Sequence, residues 1–271
     1  MENITNMSHA PFCPIEGWDL ILPVSQSNYQ EIWTACSNES GEPDGLVRIL
    51  NIPAYDGEAE LLRQNGFTDS QISQQFEEYT DKCIADAEKL INSDLGHVPE
   101  ILDVKSVRTE TGLKIYILSE YYPTFSEYYS GRKINRATLL SLACDMCDAI
   151  SEYNSLGMRH NNVQLENVYV DKNGKCLLGN PMFEPQLASR LLNPDDSRLL
   201  RFIAPELAHG EESDIRSDIY SIGLTMYFKF NSNRLPFVVS EKGLVTKKEA
   251  DAAIVSRIDG QPIPAPSKAD V

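Results

Sequence analysis

The chain has 271 residues, of which 42% are hydrophobic and 24% are charged, a balance typical of a soluble globular protein. It carries 24 Lys and Arg against 40 Asp and Glu, and the resulting net charge of −16 opposes binding to nucleic acids or anionic membranes. No stretch approaches the ~20 apolar residues of a membrane helix, and the first residues lack the basic and apolar segments of a signal peptide.

The six cysteines are scattered along the chain, which favours reduced thiols and a cytoplasmic protein. Cys144 and Cys147 form a CxxC pattern within a run that is typical of a helix. Since no second pair of ligands accompanies them, we predict two core-facing or half-buried side chains and not a metal or redox pair.

The first 122 residues consist mainly of short apolar runs, with residues 1–17 as an N-terminal extension. A long polar stretch, roughly residues 70–93, has apolar positions at spacings of three and four, which predicts one helix. Strands are predicted in the apolar or alternating runs at residues 18–35, 45–53, 97–107 and 114–122.

After Pro123 the pattern becomes mainly helical. Residues 138–156 form a strong amphipathic helix, and residues 217–230 are apolar almost all round, as in a helix buried within a lobe. A polar loop with several asparagines, residues 157–181, lies between them, and prolines in residues 260–271 predict an irregular tail.

Four short motifs occur in order in this second half. Each one occupies the place of a motif of a known catalytic domain, and the order of the four motifs is the same. They are His160 with Asn162 and Asn167 in the pattern H-R-D-x-x-x-x-N, an intact A-P-E at residues 204–206, the start of the apolar helix at residues 217–221, and Leu-Pro-Phe at residues 235–237.

With these motifs the chain resembles the protein kinase fold, in the style of bacterial Ser/Thr kinases, from about Trp18 to Pro266. The resemblance implies an α+β, two-lobed fold. Residues 18–122 would form a small antiparallel sheet with one helix of the αC type. Residues 123–259 would form a mainly helical and incomplete second lobe, and residues 260–271 an irregular tail.

The resemblance also assigns chemical positions, and several are changed. Asn162 stands where the family has its catalytic Asp, and an amide does not accept a proton near neutral pH. Asn180-Pro181-Met182 replaces Asp-Phe-Gly. Asn167 is retained as the second metal position, but two amides would hold Mg²⁺ weakly, so we expect no metal site.

The phosphate-binding loop has lost its glycines. Ser25, Ser27 and Gln30 occupy the three glycine positions, and Ile32 occupies the position of the following Val. Side chains at these positions hinder the close approach of backbone to phosphate, and Glu31 adds a negative charge.

The two residues of the family's Lys–Glu ion pair are replaced as well. Arg48 stands at the lysine position of the third strand, and the glutamate of αC maps to Asp86, with Glu88 as an alternative. We expect a structural ion pair between Arg48 and Asp86.

The vestige of the nucleotide pocket also includes Leu46 and Tyr169, which are larger than their counterparts in the family, and the small Ser119 beside Glu120. We expect Leu46 and Tyr169 to fill the adenine site. The resemblance gives structural roles to His160 in the core, to Asp218 on the loop backbone and to Glu206 of A-P-E.

Three functions remain open from the sequence. The first is a catalytically inactive pseudokinase that binds a protein partner or further domains of its own polypeptide, with no cofactor. The second is a divergent, weakly active kinase or nucleotidyl transferase that uses Asn167 and a displaced acid such as Glu166, Asp171 or Glu184. The third is a sensor that binds ATP without Mg²⁺.

The end of the chain carries one further expectation. In the resembled fold Glu206 pairs with an Arg from a later helix, and here only Arg257 is at hand, in the preceding helix. We expect the second lobe to continue in a longer protein or to be covered by a partner, and the chain alone to self-associate or to be unstable.

Overall fold

A computed structural model describes residues 10–27, 29–110, 112–191, 193, 199–212, 214–238 and 245–266. The chain forms two compact units. The first comprises Met1–Ser93 with Glu100–Tyr121, and the second comprises Asp94–Pro99 with Tyr122–Val271. The sequence had suggested a single boundary after residue 122, whereas the chain enters the second unit at residues 94–99 and then returns to the first.

The first unit is built on a five-stranded antiparallel sheet with strand order β1-β2-β3-β5-β4. Its third strand is buried on both faces and forms the centre of the sheet. This sheet confirms the predicted α+β, kinase-like fold. The strands are β1 (Trp18–Gln26), β2 (Gln30–Ser37), β3 (Gly45–Ile52), β4 (Ile101–Thr109) and β5 (Gly112–Glu120).

Two helices accompany the sheet, α1 (Glu58–Gln64) and α2 (Asp69–Ile91), where the sequence predicted only the second. Helix α2 begins at a reciprocal capping box between Thr68 and Gln71. Its buried side chains recur every three or four residues, as the apolar pattern predicted. Helix α1 was missed because seven mixed residues do not establish a period.

The segment before β1 is part of this core. Cys13 and Ile15 are buried and pack in one cluster with Trp33, Val47 and other sheet residues. Residues 10–17 therefore cover one side of the sheet, although the sequence suggested a separate extension.

The second unit is mainly helical, with the two-stranded sheet β6 (Val168–Val170) and β7 (Cys176–Leu178). Its main core packs α4 against that sheet and against Ile222 of α7. Within the described part of the chain, no helix is long and apolar enough to cross a membrane. The helices are α3 (Phe125–Tyr128), α4 (Arg136–Ser155), α5 (Glu184–Leu191), α6 (Pro205–Ala208), α7 (Ile215–Phe230) and α8 (Lys247–Ile258).

The prediction for the CxxC pair is wrong in one respect: Cys144 and Cys147 are exposed. Both lie on α4, whose buried face carries Leu142, Met146 and Ala149. Positions 144 and 147 fall on the opposite side of the helix, because a helix turns about 100° per residue.

Candidate functional site

The polar loop after α4 is organised by a buried histidine. His160 is fully buried and stacks edge-on against Tyr153, with 5.1 Å between the ring centres. Its Nδ1 accepts from the backbone N–H of Asn162 at 3.2 Å, so Nε2 carries the hydrogen that it donates to the carbonyl of Gly179 at 2.9 Å. The ring thus joins the start of the loop to the segment that follows β7.

A buried carboxylate holds the same loop from the side of α7. The two oxygens of Asp218 accept from the backbone N–H groups of His160 at 2.9 Å and Asn161 at 2.8 Å. Burial raises the pKa of Asp218 to about 6, while the two N–H donors and the charge of Arg159 act in the opposite direction. Asp218 is the charged group that shapes this loop.

Three asparagines and a tyrosine form a cluster of neutral groups in and after the loop that Asp218 holds. Asn162 Nδ2 donates to the carbonyl of Asn180 at 2.9 Å, and Asn167 Nδ2 donates to the carbonyl of Asn162 at 2.8 Å. Asn180 Nδ2 donates to Tyr169 Oη at 2.6 Å and to Asn167 Oδ1 at 3.5 Å. We call these four residues the amide cluster. Its polar groups bind one another.

The backbone gives a second reason for asparagine in this loop. Asn161 and Asn180 have φ angles of 56° and 55°, in the left-handed region that asparagine tolerates better than most residues. The sequence analysis treated Asn180 only as a lost charge and gave Asn161 no role. It missed this backbone conformation, for which the clustering of asparagines in a loop was a signal.

The turn between β1 and β2, in the first unit, is closed by hydrogen bonds between Ser27 and the backbone of Gln30. Ser27 N and Oγ donate to the carbonyl of Gln30 at 2.9 and 3.0 Å, and Gln30 N donates back to Ser27 Oγ at 3.2 Å. Ser25 pairs with Ile32 in the ladder between the two strands. The backbone N–H of Gln30 is therefore already used within the turn.

The negative charge that was predicted beside this turn belongs to Glu31, which has partners on the sheet. Glu31 accepts from the Trp33 indole at 2.9 Å and forms an ion pair with Lys114 at 3.3 Å. Alternation along β2 places Glu31 and Trp33 on one face, where the carboxylate reaches both partners.

Arg48 lies in the middle of β3 and is only 5% exposed. Its Nε donates to Gln30 Oε1 at 2.8 Å, so the side chain at the third glycine position binds the side chain at the lysine position. Asp86, on α2, forms an ion pair with Lys89 at 2.6 Å, and Glu88 is exposed. The Arg48–Asp86 ion pair stays a prediction.

The charges of Arg48 and Asp86 both act on one thiol. Burial raises the pKa of Cys83 to about 12, and the charge of Arg48 lowers it while that of Asp86 raises it. Both side chains thus lie in the neighbourhood of Cys83, which is fully buried on α2.

Residues 71–262, more than half of the chain, match the family described as protein tyrosine and serine/threonine kinase. The chain belongs to the protein kinase family. The match includes most of α2, the amide cluster, and α7 with Asp218.

Three curated relatives are serine/threonine kinases by name. The chain is 28% identical over 120 residues to the serine/threonine-protein kinase Pkn1 of Chlamydia trachomatis, which is 39% of this chain and 19% of the relative. It is 28% identical over 142 residues to the serine/threonine-protein kinase ppk16 of Schizosaccharomyces pombe, or 50% and 21% of the two chains. A probable serine/threonine-protein kinase of Streptomyces coelicolor is 27% identical over 130 residues, or 45% and 19%. The chain thus spans about a fifth of the length of these relatives.

The family's metal does not fit the residues present. Mg²⁺ prefers hard and usually anionic oxygen ligands, whereas Asn167 and Asn180 are neutral and hydrogen-bonded to each other. Among the residues that the structure describes, no group of three or more His, Cys, Asp or Glu side chains is arranged to hold a metal ion. Asn162 carries no basic oxygen, and its Oδ1 accepts from Gln164 at 3.0 Å.

The three candidate displaced acids are placed differently. Glu166 and Glu184 are exposed, on the short turn before β6 and at the first position of α5. Asp171 accepts from the backbone N–H groups of Asn173 and Lys175, both at 2.8 Å, and so closes the turn between β6 and β7. Of the three, Asp171 has an evident structural role.

The predicted adenine residues are divided between the two units. Leu46 is 7% exposed and lies opposite Ser119 in the ladder between β3 and β5, and Glu120 follows Ser119. Tyr169 is 5% exposed, and its ring packs so closely on Gly179 that an added Cβ there would lie 2.9 Å from it. The joint filling of the adenine site by Leu46 and Tyr169 stays a prediction.

Arg257, on α8, binds groups other than Glu206 of the A-P-E motif. Arg257 donates through Nη1 to the carbonyl of Ile203 at 2.6 Å, and through Nη2 to the carbonyl of Leu200. Glu206 instead accepts from Ser217 Oγ at 2.8 Å. Arg257 therefore holds the backbone before A-P-E and does not replace the family's ion-pair arginine.

Proposed function

We propose that this chain is a pseudokinase domain, a kinase fold that acts as a scaffold or regulatory binding module and does not transfer phosphate. The amide cluster carries the proposal. Asn162 and Asn180 replace the base and the main metal ligand. The amide of Asn180 donates to Tyr169, the amide of Asn162 donates to the backbone carbonyl of Asn180, and Asn167 donates to the backbone carbonyl of Asn162. Loss of general-base help alone lowers a rate by ~10²–10⁴-fold.

The first unit supports the same proposal. In an active kinase the glycine-rich loop and the strand lysine both serve the phosphates. Here Gln30 and Arg48, at those two positions, bind each other, and the N–H of Gln30 binds Ser27. A phosphate would have to displace these contacts, so we expect weak or no binding of ATP and no need for a cofactor.

The second candidate is a divergent serine/threonine kinase. It is favoured by the three relatives described above, which are named as kinases, and by the retained Asn167. The exposed Glu166 and Glu184 would be its candidate acids. The third candidate is a sensor that binds ATP at the same site without Mg²⁺.

Phosphotransfer from radiolabelled ATP with Mg²⁺ or Mn²⁺ separates the first two candidates. We expect no label on the chain or on generic protein substrates. Label that disappears in Asn167→Ala but persists in the matched variant Asn173→Ala, whose asparagine lies in a surface turn, would establish a divergent kinase.

Thermal shift with ATP, in the presence and absence of Mg²⁺, identifies the sensor. We expect no shift for the wild type under either condition. A shift of the wild type without Mg²⁺ would establish nucleotide binding and contradict the predicted blocked pocket.

A further inference from the structure

The second unit contains a cavity of about 120 Å³ that is remote in sequence from the amide cluster. It lies between the end of α7, residues 233–238 and α8. Its apolar wall includes Phe228, Leu235, Val245 and Ile254. Val245 is 41% exposed, so this wall continues to the protein surface.

The size of the cavity limits what it can hold. An apolar cavity of ~150 Å³ accepts a molecule such as benzene. About 120 Å³ therefore suits one bulky apolar side chain and is too small for a nucleotide. Single buried side chains of this kind are common anchors of protein–protein binding.

Besides Arg257, which donates to backbone carbonyls, two further arginines flank the apolar wall. Arg201 and Arg234 line the cavity, and Arg201 is exposed. Within the described residues, neither has a carboxylate within ion-pair distance, although the chain holds 40 Asp and Glu against 24 Lys and Arg. Arginines that have no carboxylate partner among the described residues, beside an apolar cavity, favour an acidic ligand over a basic one.

We propose that this cavity docks a peptide segment of a partner protein through one bulky apolar side chain flanked by acidic residues. The apolar side chain would fill the space beside Phe228 and Ile254, and the carboxylates would meet Arg201 and Arg234. The site is independent of phosphotransfer, so it exists whether the chain is a pseudokinase or a divergent enzyme.

Fluorescence polarisation of a labelled peptide tests the proposal. The probe has one phenylalanine between two Asp-Glu pairs, and two matched probes replace the phenylalanine by alanine or the four acids by glutamine. We expect saturable binding of the first probe and a loss of at least about tenfold in affinity for each of the others. No saturation up to roughly 1 mM, or equal binding of all three probes, would overturn the proposal.

Variants locate the binding. Ala250→Leu reduces the cavity volume, and the double variant Arg201→Glu/Arg234→Glu reverses the two charges; each should lower affinity about tenfold or more. The double variant Lys133→Glu/Arg136→Glu, at two exposed positions around the start of α4, is the charge-matched control and should change affinity less than about twofold. The melting temperature of each variant verifies folding. Binding that persists in folded Ala250→Leu and in the folded Arg201→Glu/Arg234→Glu variant would place the peptide elsewhere and refute the docking site.

Discussion

The polar loop of the second unit has two sides that differ in charge. On the side of the core, Asp218 keeps a buried carboxylate that binds two backbone N–H groups. On the side of the amide cluster, Asn162 and Asn180 stand where the family has carboxylates. The loop is therefore charged where charge shapes its backbone and neutral where charge would serve phosphate chemistry. The carboxylate that shapes the loop backbone comes from α7, so it is a different group from the carboxylates that the family carries at the positions of Asn162 and Asn180.

The largest effect should come from the core side. Asp218→Ala leaves the N–H groups of His160 and Asn161 without their acceptor, and each buried unsatisfied donor costs ~1–3 kcal/mol. We expect a loss of about 2–6 kcal/mol in the free energy of unfolding, measured by urea denaturation. Asn162→Ala, on the side of the amide cluster, is the comparison and should cost only ~0.5–1.5 kcal/mol. Equal losses would show that the two sides do not differ in their structural role.

The pH dependence of stability should also separate the two sides. The pKa of Asp218 in the folded protein is raised from 3.8 to about 6. The stability that this raised pKa contributes is fully present below pH 3.8 and is lost as pH rises through 6. We expect the stability of wild type relative to Asp218→Asn to fall by up to about 3 kcal/mol between pH 4 and pH 7. A difference that does not change with pH, in paired urea titrations, would contradict a raised pKa.

In the first unit, Gln30→Ala should lower the free energy of unfolding, because Gln30 is an uncharged partner of Arg48. The change removes one acceptor of a buried guanidinium, and a hydrogen bond to a charged group contributes ~1.5–3 kcal/mol. Denaturation should show a loss in that range, whereas Gln74→Ala, at an exposed position on α2, should change stability by less than ~0.5 kcal/mol.

The close packing of Tyr169 on Gly179 predicts a smaller, steric effect. Gly179→Ala places a Cβ 2.9 Å from the tyrosine ring and 3.0 Å from Pro99, so overpacking should cost ~1–3 kcal/mol. The same substitution in a Tyr169→Leu background should cost less, because the ring is gone. Identical costs in the two backgrounds would show that Tyr169 does not crowd this position.

The smallest expected effect is the coupling between Arg48 and Asp86. If they form the predicted ion pair, the double variant Arg48→Ala/Asp86→Ala should lose about 1 kcal/mol less than the sum of the single variants. A parallel cycle of Asp86 with Lys89, whose ion pair is exposed on the lysine side, should give at most ~0.5 kcal/mol. Additivity in the first cycle would contradict the Arg48–Asp86 ion pair.

Much of the fold was predictable from the sequence, because the responsible signals are local. Apolar alternation located the five strands of the first unit, and the spacing of apolar residues on α2, α4 and α7 located these helices. The ordered motifs from His160 to Phe237 were sufficient to identify the family. The positions that lost a carboxylate or a glycine followed directly from the same motifs.

The partners of each polar side chain depended on the tertiary structure. The sequence contains Gln30, Arg48 and Asp86, but only strand pairing brings Gln30 to Arg48, 18 positions apart. The sequence also contains Asn180, but only its backbone shows a φ angle of 55° that suits asparagine. Residue type determines charge and local preference, whereas hydrogen bonds between distant residues arise from packing, which no local pattern encodes.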